Sequence, residues 1–170
     1  MNAETGASDA ALPPHGRLEG RSSFDAMLRW ALAHGPQQPQ AVWWWCDADF
    51  ADWPLGERGV IEALQAWAAG GRRLRLLAHD YRTLQRVHPR FVAWRQTWDH
   101  LVEARACRHL AASDTPSVMW SGDWAFQRLD VERGVAVCGD DVGLRTRLGQ
   151  SLDALWARSS PAFPASTLGL

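Results

Sequence analysis

Lysine is missing from this chain: all 18 basic residues are arginine. That absence removes the phosphate-binding lysine of a P-loop, Schiff-base chemistry, serine–lysine hydrolysis and every other motif in which lysine is obligatory. Cysteine is scarce and odd in number. Cys46, Cys107 and Cys138 form no C-x-x-C pair, and each lies in an apolar run, so they read as buried, reduced thiols. No apolar run approaches the roughly 18 residues needed to cross a bilayer. The opening Met1-Asn2-Ala3-Glu4 has neither the basic nor the apolar region of a secretory leader. A cytoplasmic protein with no membrane partner is therefore expected, and with no cofactor motif present, none is assigned.

Tryptophan, by contrast, is abundant. Eleven of the 170 residues are Trp, which demands a well-built core, an apolar partner surface, or both. The length suits one domain with its own core. Charge is unevenly spread: residues 72–109 hold nine Arg against three acids, a local +6, whereas the whole chain carries −1. The basic segment can attract phosphate or form a solvated face, and the near-neutral total argues against general nucleic-acid binding.

Residues 1–21, rich in Ala, Gly, Pro and Ser, have no hydrophobic period and read as a disordered lead. Ser22-Ser23 resembles an N-cap for a helix bearing Phe24, Met27, Leu28, Ala31 and Leu32. The run Ala41 to Cys46 predicts a buried strand, a helix follows with Val60, Ile61, Leu64, Trp67 and Ala68 on one face, and Leu74 to Ala78 predicts a second strand. A helical stretch from Thr83 to Ala104, broken at Pro89, leads to a third strand at Ala106 to Leu110. Ser117 to Trp120 and Trp124 to Leu129 then read as a hairpin, with a further strand at Val135 to Cys138 and a last helix carrying Leu144, Leu148, Leu152 and Leu155. The fold class that follows is α/β: a mixed sheet, parallel in its first part and antiparallel in its later part, with helices on both faces. The folded domain spans 22–160, and 161–170 reads as an extended tail.

The order resembles one half of a phospholipase-D-like domain. Gly71-Arg72-Arg73-Leu74-Arg75-Leu76-Leu77, His88-Pro89-Arg90 before a long helix, and Leu152-Asp153-Ala154-Leu155-Trp156-Ala157-Arg158-Ser159 carry the resemblance. The family's chemistry lies in H-x-K-x4-D. The matching window here reads Pro116-x-Val118-x4-Asp123, so only the Asp is kept, and no catalytic residue is assigned. The resemblance implies a non-catalytic scaffold or interaction domain, paired as a homodimer in place of the family's two halves or docked on a protein partner.

Two other functions compete. In open α/β sheets, ligands bind beyond the carboxyl ends of the strands, where Asp47, Asp49, His79 and Asp80 lie, with Asp123 as a further member. These residues could hold a divalent cation for metal-assisted hydrolysis, or simply cap turns. Arg82, Arg86 and Arg90 recur at helical spacing and could form a phosphate-binding stripe beside the crevice, or a solvated face. Trp43 and Trp45 must face one side of their strand and Trp44 the other, which places them between two helical layers or under a ring-shaped ligand.

Overall fold

The computed structural model describes residues 13–38 and 41–166. Most of the lead, residues 1–12, and the tail's Leu168 and Leu170 lie outside the described residues. The chain is α/β, built on one mixed eight-stranded sheet.

β2 (Val42–Asp47), β3 (Arg73–Ala78) and β4 (Val102–Ala106) are parallel neighbours. The crossovers between them are α2 (Arg58–Ala68) and the pair α3 (Arg82–Val87) and α4 (Pro89–Thr97). β5 (Ser117–Trp120), β6 (Ala125–Asp130) and β7 (Val135–Gly139) extend the sheet antiparallel from the other side of β2. β1 (Gly16–Leu18) closes one edge against β7, and β8 (Ser160–Pro161) closes the other against β4. The spatial order is β1-β7-β6-β5-β2-β3-β4-β8.

Helices cover both faces. α1 (Arg21–Ala33), α2 and α4 pack on the side of Trp43, Trp45, Leu74 and Leu76. α5 (Val142–Arg158) lies on the other side, its Leu148 and Leu152 against Trp44, Cys46, Leu77 and Val118. The three consecutive tryptophans therefore divide between two cores as strand alternation requires. Trp43 meets Trp67 at 5.3 Å between ring centroids, and Trp44 meets Trp156 at 5.1 Å.

The third strand lies earlier than its sequence suggests. Glu103, Ala104 and Arg105 favour helix by intrinsic propensity, but Val102, Ala104 and Ala106 point inward at a period of two, and pairing with β3 fixes the segment as strand. The helical stretch before it ends at Thr97 and is divided at His88, whose ring Nε2 lies 3.0 Å from the Phe50 carbonyl. In the tail, Phe163 folds back to stack on Tyr81 at 5.0 Å, and Arg95 donates to its carbonyl.

Candidate functional site

The carboxyl ends of β2 and β3 bring Asp47 and Asp49 beside His79 and Asp80: the backbone N–H groups of His79 and Asp80 both approach the Ala48 carbonyl, at 3.0 and 3.4 Å. Their environments separate their roles. Asp47 is buried and fully engaged. Its Oδ1 accepts from the amides of Asp49 and Phe50, and its Oδ2 accepts from Trp53 Nε1, Ser117 Oγ at 2.6 Å and Arg128 Nη2 at 3.0 Å. Arg128 also reaches Asp52 at 2.7 Å and lies over the Phe24 ring. This is a closed ionic network inside the protein, with no lone pair left for a cation.

Asp49 caps the Ala51 amide. Asp123 lies in the β5–β6 turn, at the opposite end of the sheet, where it accepts from Ser121 Oγ. The structure therefore does not bring Asp123 to the other acids. Among the described residues, no group of three or more His, Cys, Asp or Glu side chains is placed to hold a metal ion. The described residues thus hold no assembled centre for metal-assisted hydrolysis.

Asp80 and Arg82 form the rim of a different feature. A groove of about 480 Å³ runs beside the ends of β3 and β4, walled by the chain from Ser160 to Pro164. Arg82 enters from α3, Arg108 from the loop after β4 and Arg158 from the last turn of α5, with His109 and Gln85 between them. Asp80 is the one acid in the lining. Arg82 holds it at 2.6 Å, and the guanidinium and backbone N–H of Arg82 keep its carboxyl below the usual range. Arg82 itself stays 88% exposed at the side chain. Arg108 and Arg158 are exposed and pair with no acid among the described residues. Arg86 stands one turn beyond Arg82, over a shallower depression shared with Asp80 and Thr83. Arg90 leaves this stripe: the break before Pro89 puts it on α4, donating to the Gly56 carbonyl.

Sequence reasoning found Arg82, Arg86 and Asp80, held Arg108 only as part of the basic segment 72–109, and missed Arg158 and Arg128. Arg158 comes from the end of α5, far along the chain from α3 and the loop after β4. Arg128 did leave a trace: it shares a strand face with Phe126, and a charge at a core-facing position requires a buried partner.

The cysteines play no part. All three thiols are free and buried; burial pushes Cys46 well up and Cys138 to about 11, which removes the thiolate a nucleophile needs.

The fold is similar to that of TrmBL2. That protein is an archaeal chromatin protein, and its structure shows a novel mode of DNA binding. The superposition has a TM-score of 0.64 at 13% sequence identity and covers 94% of this chain. It takes in 57% of TrmBL2, so this chain spans little more than half the length of that protein. At such identity the likeness is one of fold. No family model and no curated protein sequence matches the chain.

These findings overturn the phospholipase-D-like assignment, and with it the scaffold and homodimer readings that rested on it. The fragments that suggested it have local explanations. Gly71 to Leu77 is a helix-to-strand connection, His88 divides two helices, and Leu152 to Ser159 is the core-facing end of α5. The inference against nucleic acid from the near-neutral total is overturned as well, since TrmBL2, whose fold is similar, binds DNA and the arginines gather locally. Among the described residues, no helix is long and apolar enough to cross a membrane.

Proposed function

We propose that this protein binds DNA, through phosphate contacts made by the arginine groove at the ends of β3 and β4. The groove itself carries this reading: Arg82, Arg108 and Arg158, brought from three separate elements, line one concavity whose single acid is already engaged. Guanidinium groups fit phosphate oxygens with two parallel hydrogen bonds and never lose their charge. The likeness to TrmBL2 supports the class of ligand. Arg86 extends the positive surface along α3, and Asp80 acts as a positioning group for Arg82. Contacts of this kind recognise the backbone rather than a base sequence. The three reduced, buried thiols accord with a reducing intracellular compartment.

The test is fluorescence anisotropy with a labelled 30-base-pair duplex at salt from about 50 to 200 mM, the range over which phosphate contacts weaken steeply. The wild type is expected to bind with strong salt dependence. The triple variant R82Q/R108Q/R158Q is expected to bind weakly, with the slope of log affinity against log salt reduced by roughly two to three. Binding that survives in a folded triple variant, or no binding by the wild type at the lowest salt, would overturn the proposal.

A further inference from the structure

A second cavity, also of about 480 Å³, opens at the other end of the sheet, within the roughly 300–1,000 Å³ of ligand pockets. Trp30 on α1 and His34, the residue that caps the helix, stack at 4.7 Å with their planes 14° apart. Trp124 leans across from β6's approach, 6.0 Å from Trp30 and tilted by 54°. Trp43 closes the base beside Gly35. Aromatic walls therefore converge from one helix, one strand and one turn.

The rim is acidic. Asp123 and Asp140 both line the cavity, and none of the chain's 18 arginines does. Arg145 helps to fix the two acid-bearing turns from outside, donating to the backbone carbonyls of Asp140 and Gly122. Asp123 accepts from Ser121 Oγ at 2.6 Å, which fixes its carboxylate on the turn. Asp140 has His15 at 3.5 Å and is otherwise open to solvent, with 69% of its side chain exposed. Neither carboxylate is paired with a guanidinium among the described residues.

We propose that this cavity binds a small organic cation: an alkylated or quaternary ammonium group seated in the corner between Trp30 and Trp124, with Trp43 at its base, and attracted by Asp123 and Asp140. Indole rings carry negative charge on their faces and are the strongest of the aromatic side chains in holding a desolvated cation. The two carboxylates raise the local cation concentration and repel phosphate. The site is thus the electrostatic opposite of the arginine groove and lies at the other end of the strands, so each can fail without the other.

Isothermal titration calorimetry of the full chain with choline, and with its neutral isostere 3,3-dimethylbutan-1-ol, separates a cation site from a merely apolar one. Choline is expected to bind at least tenfold more tightly than the alcohol. The D123N/D140N variant, which alters only exposed side chains, is expected to lose at least tenfold of the choline affinity and to keep its affinity for duplex DNA. W30L is expected to abolish choline binding, with circular dichroism confirming the fold. Equal binding of choline and the alcohol, unchanged choline affinity in D123N/D140N, or no heat with choline at millimolar concentration would each overturn the site.

Discussion

Asp47 ends β2 with both carboxylate oxygens occupied, and Arg128 faces it with 3% of either side chain exposed. Charges so deeply placed are tolerated because each is paired and hydrogen-bonded; removing one partner leaves the other stranded. R128L is therefore expected to cost about 3–5 kcal/mol, read as a lowered midpoint in urea denaturation. The D47N/R128L double variant is expected to cost clearly less than the sum of the two single variants. Strict additivity would show that the pair is not coupled. The acids at the strand ends were legible in the sequence, but their chemistry was not. Ser117 and Arg128 lie 70 and 81 residues along the chain from Asp47, and only the folded sheet shows that Asp47 is spent on structure while Asp80 faces the groove.

Among the elements, legibility follows how strongly the local pattern and the tertiary setting agree. Val42 to Cys46 is a continuous apolar run and reads as a strand from either viewpoint. Val102 to Ala106 mixes strand alternation with helix-forming residues, so its neighbours decide it. β1 and β8, three and two residues long, carry no pattern of their own and exist only as edges. At the C-terminal end of α1, Gly35 marks a place where backbone and side chain meet closely: a Cβ there would lie 2.5 Å from Trp43 Cζ3. Trp43 is buried and cannot move aside. G35A is expected to destabilise by about 1–3 kcal/mol through overpacking, and to perturb the aromatic cavity that Trp43 underlies. Gly59, inside α2, has open space where its Cβ would be, so G59A is expected to stabilise by about 0.4–1 kcal/mol. Paired urea titrations of the two variants read both signs; a G35A protein as stable as the wild type would refute the close contact.

On the scale of the whole molecule, α5 ties the sheet together. It leaves β7 near one edge and delivers the chain to β8 at the other, six strand steps away. At about 4.8 Å per step that distance is about 29 Å, and a helix of 17 residues is about 26 Å long at 1.5 Å per residue. The helix length thus matches the width it must cross. The α/β class and the mixed sheet were legible because alternating helices and strands permit few arrangements. Neither proposed binding surface was legible as a whole, because each is assembled from elements far apart in the chain.

The edge positions of β1 and β8 also determine how the protein answers to mechanical tension. With the first and last strands on opposite borders, a pull on the two chain ends acts across the strands, and the border hydrogen bonds break one after another instead of sharing the load. In an optical trap, β8 and β1 are expected to peel at low force before one main unfolding step; a single high-force rupture would contradict this. Peeling β8 also dismantles the wall of the arginine groove, since Ser160 to Phe163 form it. A DNA strand gripped by Arg82 and Arg158 would clasp that border shut, so the bound protein should yield only at higher force.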